Sequence, residues 1–292
     1  MKVARFFVTV VFVFAFSTVV SSQGLTTTNI DQVLGRSGQK TGDVYKVGFP
    51  RTDLHVVADG VVIKPAFALG SWAAFSGSDN DAKVMGDLVL LQDEINPVMQ
   101  KLRAAGFEIT AVHNHLLDET PRVMYMHYMG RGPATQLASS LRGALAVSKT
   151  PLAKPTAPSA ASAPPAWVNT VNSTLGRNGM LNGGVLAFGV PRKDSIMMDG
   201  IELTPAQGVA ESINFQDASA GKVATTGDFV LTAAEVNPVI SALEQHGLSV
   251  MALHSHMLNE RPRLFFMHFW GVGTPDAIAA GIKAALAQVS TK

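Results

Sequence analysis

Phe107-Glu108-Ile109-Thr110-Ala111-Val112-His113-Asn114-His115 and, 141 positions later, Leu248-Ser249-Val250-Met251-Ala252-Leu253-His254-Ser255-His256 decide the architecture. Each stretch is rich in β-formers, each ends in H-x-H, and each leads through a Pro-Arg pair to a second strand-like run. Those runs carry Met126-His127 and Met267-His268 at matching places. One β-hairpin has been written twice.

The match extends outward. Leu34-Gly35-Arg36 meets Leu175-Gly176-Arg177, Gly48-Phe49-Pro50-Arg51 meets Gly189-Val190-Pro191-Arg192, Gly86-Asp87 meets Gly227-Asp228, and Asn96-Pro97 meets Asn237-Pro238. A period of roughly 140 residues is far longer than solenoid repeats, so each copy can hold its own core or pack on its twin across a pseudo-twofold axis. The expected division is repeat 1 at 26–148, a Pro/Ala/Ser-rich exposed linker at 149–166 and repeat 2 at 167–292.

Within a copy, a helix is expected at 28–34, stopped by Gly35, then short strands at about 43–49, 54–58, 61–64 and 69–76 with Asp59-Gly60 as a hairpin turn. A strand at 84–91 follows. Ile95, Val98, Met99 and Leu102 then fall at helical spacing, with Asn96-Pro97 suited to the N-cap and first turn. Strands at about 107–115 and 122–129 and a helix at 133–146 close the unit. The expected fold class is α+β: two homologous repeats, each a mainly antiparallel sheet with helices packed on one side.

Composition narrows the function. Lys and Arg total 23 against 22 Asp and Glu, a balance that argues against a nucleic-acid partner. No Cys is present, which removes disulfides, thiolate metal sites and thiol nucleophiles. Lys2 and Arg5, the apolar run Phe6 to Val20, and Ser21-Ser22 read as a secretory signal at 1–22, shorter than the ~20 apolar residues that cross a bilayer. The expectation is a secreted or periplasmic protein without a transmembrane anchor after cleavage.

Six of the eight His occupy equivalent places in the two copies; His55 and His246 have no twin and are read as surface residues. Strict alternation would put Phe107, Ile109, Ala111, His113 and His115 on one face, so the apolar face would end in two imidazoles about 7 Å apart at the backbone, a spacing that suits chelation. Glu119 and Glu260 follow four residues after the second His, completing H-x-H-x3-E twice. That spacing resembles the first metal-binding motif of cupins, although the expected helices do not suit a cupin barrel.

The candidate ligands are therefore His113, His115, His127 and Glu119 with His254, His256, His268 and Glu260, and the expected cofactor is a divalent metal ion, zinc, iron, manganese and nickel all suiting these donors. His127 joins His113 only if it pairs opposite residue 111; a one-residue slip turns it away. The competing reading is structural: imidazoles bonded to backbone or to Glu119, with Pro121-Arg122 shaping the turn. Met124, Met126 and Met129 would suit copper but are read, with the three Trp, as core, and the Gly-Asp pairs are read as strand entries.

Met85-Gly86-Asp87-Leu88-Val89-Leu90, Asn96-Pro97-Val98-Met99, Ala111-Val112-His113-Asn114-His115-Leu116-Leu117 and Pro121-Arg122-Val123-Met124-Tyr125-Met126-His127 resemble the LppY/LpqO family of lipoproteins. Membership implies an exported envelope protein with no assigned activity. The lipid-bearing Cys of a lipoprotein is missing here. Three functions stay open: a metal-dependent hydrolase with Glu119 or Glu260 as ligand or base, a non-enzymatic module for a small-molecule or envelope ligand, and a structural envelope protein.

Overall fold

The computed structural model describes residues 24–153 and 163–292. The expected signal at 1–22 and residues 154–162, half of the expected linker, lie outside the described residues. Repeat 1 runs α1 (Thr27–Leu34), β1 (Gln39–Thr41), β2 (Val44–Pro50), β3 (Val57–Ala58), β4 (Val61–Val62), α2 (Pro65–Ala68), β5 (Gly70–Gly77), β6 (Ala82–Leu91), α3 (Gln92–Ala104), β7 (Glu108–His113), β8 (Val123–Gly132) and α4 (Ala134–Leu145). Repeat 2 follows the same plan: α5 (Ala166–Leu175), β9 (Met180–Asn182), β10 (Val185–Pro191), β11 (Ile196–Met198), β12 (Ile201–Leu203), a 3₁₀ turn at Pro205–Gln207, β13 (Ala210–Ser219), β14 (Lys222–Leu231), α6 (Ala233–Gln245), β15 (Ser249–His254), β16 (Phe265–Gly273) and α7 (Pro275–Leu286).

Each repeat builds one six-stranded antiparallel sheet, in the order β1-β2-β5-β6-β8-β7 and, in mirror order, β15-β16-β14-β13-β10-β9. The helices of a repeat cover one face. Leu34, Val98, Leu102, Leu137 and Leu141 pack there against Val47, Phe49, Phe75 and Tyr128, and Val171, Val239, Leu243 and Ile282 pack equivalently in repeat 2. The other faces meet each other: Tyr125 and Val89 share a cluster with Ala224 and Trp270, while Ala74 and Met85 share one with Val230 and Phe266. The result is a four-layer stack of helices, sheet, sheet and helices.

The α+β class is as expected, and so is the Asp59-Gly60 hairpin, where both residues adopt positive φ (47° and 74°) as a two-residue type I′ turn demands. Three local expectations change. The strand expected at 54–58 shortens to Val57–Ala58. The helix after β6 begins at Gln92, not at Asn96, because Glu94 reaches back to the Leu91 N–H at 2.8 Å; Pro97 sits inside the helix. Residues 149–153, expected as exposed linker, pack on repeat 1: the Lys149 N–H donates to Glu94, and the Arg36 guanidinium donates to the Pro151 and Ala153 carbonyls. No described helix is long and apolar enough to cross a membrane.

Candidate metal centre between the repeats

The hairpins reach the sheet-to-sheet interface through a bulge. Ile109 pairs with Tyr128, but the next register partner of β8, His127, pairs with Ala111, so Thr110 is the extra residue. The bulge reverses the alternation expected from sequence. Phe107 and Ile109 point to the helices, whereas Ala111 and His113 turn to the opposite face, towards the other repeat. Repeat 2 does the same at Met251, between Val250↔Phe269 and Ala252↔His268. The imidazoles thus do not extend the apolar helix-facing surface; they leave it. The open question of register resolves in favour of Ala111↔His127, which places His127 beside His113.

All six duplicated His meet at the interface, and they pair across it. His113 stacks on His254 and His127 on His256, and His115 packs on His268 with the rings tilted by 31°, each pair with ring centroids 3.7 Å apart. The first pair is self-twin and the other two exchange under the repeat symmetry, so the pseudo-twofold axis runs through the His113–His254 contact. The bulge residue helps clamp the halves: Thr110 Oγ1 donates to the His256 carbonyl at 2.6 Å, and Asn114 Nδ2 donates to the Met251 carbonyl at 3.1 Å. His55 and His246 lie at the surface, as expected.

Two carboxylates complete the cluster, and they are not the expected ones. Asp87 and Asp228 lie mid-strand on β6 and β14, in register with His127 and His268. Asp87 stands 3.8 Å from His127 Nε2 and 3.9 Å from His115 Nε2, and Asp228 stands 2.9 Å from His268 Nδ1. The Gly before each Asp is required by close packing, since a Cβ at Gly86 would overlap the Trp72 carbonyl and one at Gly227 the Ser212 carbonyl. Read as strand entries, these Gly-Asp pairs are in fact interior. Their duplication was the only sequence signal that could have promoted them.

The structure places Glu119 and Glu260 at the turns instead. Glu119 accepts the Val123 N–H at 3.2 Å and Glu260 the Leu264 N–H at 3.0 Å, with Arg122 and Arg263 alongside. Neither belongs to the groups whose donor atoms converge, which are His113, His254, His256 and His268, and His115, Asp228 and His268, in each case within 4.8 Å of one another.

The electrostatics keep five of the six rings neutral. Burial pushes His127 down to about 3 and His254 to about 4, and it drives His113, His115 and His256 well below the ordinary histidine range, reinforced by repulsion between neighbouring rings. His268 is the exception: despite its burial, Asp228 raises it, and His268 in turn holds the buried Asp228 below the usual carboxylate range. Burial, then the charge of Asp228, lifts Asp87 to about 7. A neutral imidazole donates from one nitrogen only. The Nδ1 atom of His113 faces the carbonyl of Asn114 at 3.2 Å, which leaves a lone pair on its Nε2, while Nδ1 of His268 faces the Gly227 carbonyl at 3.0 Å and Asp228 at 2.9 Å. All six Nε2 atoms are buried without a hydrogen-bond partner, as is Oδ1 of Asp87.

The family model described as Domain of Unknown Function (DUF1259) matches the chain twice, at 28–147 and 169–288. No curated protein matches. Among solved structures, a trimeric bacterial microcompartment shell protein, PduB, aligns at 13% identity over 87% of this chain and 89% of its own, with a TM-score of 0.25. TP0453, in its crystal form I, aligns at 13% identity over 87% and 96%, with a TM-score of 0.19.

Proposed function

The chain belongs to the Domain of Unknown Function (DUF1259) family, in two tandem copies, and we propose that it is an exported protein that binds a divalent metal ion between them. One observation carries this reading: six imidazole nitrogens, three from each repeat, are buried together without a partner. Buried polar atoms are nearly always satisfied, and six exceptions at one place call for a common acceptor of lone pairs. A cation is that acceptor. Largely neutral imidazoles with aspartates beside them are the usual donor set and support of a histidine-rich site. The resemblance to LppY/LpqO proteins and the Lys2-to-Ser22 segment support an envelope or secreted location.

The donors suit zinc, iron, manganese or nickel. Such an ion supplies polarisation of a substrate oxygen or of water, and hydrolysis is the simplest chemistry that follows. Asp87 and Asp228, at the rings, replace Glu119 and Glu260 as the candidate bases. Metal analysis of the purified protein tests the reading: about one or two ions per chain are expected, lost when His113 and His254 are both changed to Ala. Protein that takes up no metal, with a melting temperature indifferent to chelators, would return the cluster to a structural role.

A further inference from the structure

The two repeats supply the same rings but not the same surroundings. A pocket of about 210 Å³ between the sheets reaches the cluster, lined by Lys46, Trp72, Asp87 and His115 of repeat 1 and by Asn214 and Asp228 of repeat 2. Strand registers identify the twin positions. Lys46 corresponds to Ala187, Thr226 to Met85 and Asn214 to Ala74. On the twin side Ala74 and Met85 are buried in an apolar cluster with Val230 and Phe266, Gln207 Nε2 packs at 3.9 Å from Met85 Sδ, and the Trp72 ring lies against Gly208. One approach to the cluster is thus polar and bears a cation. The other is apolar and filled.

Lys46 is the distinctive element. Its ammonium sits 3.9 Å from the centroid of Trp72, and among the described residues it makes no hydrogen bond or carboxylate contact within ion-pair distance. Other polar groups of the pocket are already committed: Asn214 Nδ2 donates to the Phe67 carbonyl, Tyr125 Oη to the Ala68 carbonyl and Thr226 Oγ1 to the Phe269 carbonyl. A lone ammonium with few free N–H groups around it can match the one charge of a small carboxylate, whereas a phosphate, with about −1.5 to −2 charge and more acceptor oxygens, would be opposed by Asp87 and Asp228 and left short of donors. A larger groove of about 520 Å³ elsewhere mixes Lys40, Lys83 and Arg131 with Asp43, Asp81 and Glu202 and shows no such preference.

We infer that this pocket admits a small carboxylate-bearing molecule, with its carboxylate on Lys46 and its remaining atoms directed to Asp87, His115 and the metal. The direction of the inner end rests on the metal reading; the carboxylate contact does not.

The test is saturation-transfer NMR with acetate and, separately, inorganic phosphate, on zinc-loaded and zinc-free protein. Wild type is expected to bind acetate saturably and more tightly than phosphate. Lys46→Met, which keeps the apolar stem, is expected to weaken acetate binding at least about tenfold with zinc content unchanged, and Lys46→Arg to retain it. Equal acetate binding by wild type and Lys46→Met overturns the inference, as does tighter phosphate binding or a loss of zinc with the charge. Protein that takes up no zinc yet loses acetate binding in Lys46→Met overturns the metal reading and upholds the pocket.

Discussion

The two repeats share their strand plan, bulges and six-ring cluster, yet they differ wherever the cluster opens. Both keep a buried arginine before β3 and β11, Arg51 and Arg192, each bonded to a strand carbonyl and to carboxylates on the following elements. Both keep Gly-Asp inside the central strand. What changes is Lys46 against Ala187, Trp72 against Ser212 and Tyr125 against Phe266. Features common to both halves build the scaffold and the ring cluster, and features unique to one half define an approach. The comparison separates the two roles inside a single chain.

Changing rings tests the shared part most severely. His115→Ala and His268→Ala remove the two members of one cross-repeat pair, so each is expected to lower metal affinity by more than the ~10–100-fold typical of an outer partner. Because the pair acts as a unit, the double variant should lose little beyond either single one, as read by competition with a chromophoric chelator.

Next come the twin arginines. Arg192 lies 3.8 Å from Glu211, a fully buried carboxylate that burial raises well above its ordinary range, as well as contacting Asp194 and Glu235. The place of Glu211 is taken by Ser71 in repeat 1, each accepting from a β-strand N–H, of Val230 and Val89 respectively. Arg192→Met should therefore cost about 3–5 kcal/mol in chemical denaturation, and Arg51→Met less, since it strands fewer carboxylates.

The glycines of the two Gly-Asp pairs offer a third comparison. A methyl group at either position must push back a strand carbonyl, and Gly86→Ala and Gly227→Ala should each lose about 1–3 kcal/mol. The smallest effect is expected from Tyr125→Phe, which gives repeat 1 the residue of its twin. It deletes only the 2.8 Å bond to the Ala68 carbonyl, for a loss of about 1 kcal/mol, and should leave metal content unchanged.

Much of this was legible beforehand. The duplication, the hairpins and the six paired His follow from residue order alone, because a repeat needs no structure to be recognised. The orientation of the rings did not. A bulge at Thr110 or Met251 leaves no residue signature, so period-2 counting placed Phe107 and His113 on one face when they lie on two. Asp87 and Asp228 were hidden for a related reason. Their role comes from a strand neighbour 40 residues away, His127 or His268, and from a second sheet, which local spacing cannot register. Glu119 stood at an attractive spacing but was claimed by the nearer Val123 N–H.

The exchange of ring partners across the axis has an evolutionary corollary. His115 finds His268, and His127 finds His256, always in the opposite half. A polypeptide carrying a single unit of this kind would own three donors and no counterparts, and it could assemble the cluster only by self-association head to head. Fusion of two units turns that concentration-dependent encounter into an intramolecular one, and it frees one half to acquire a lysine while the other stays plain.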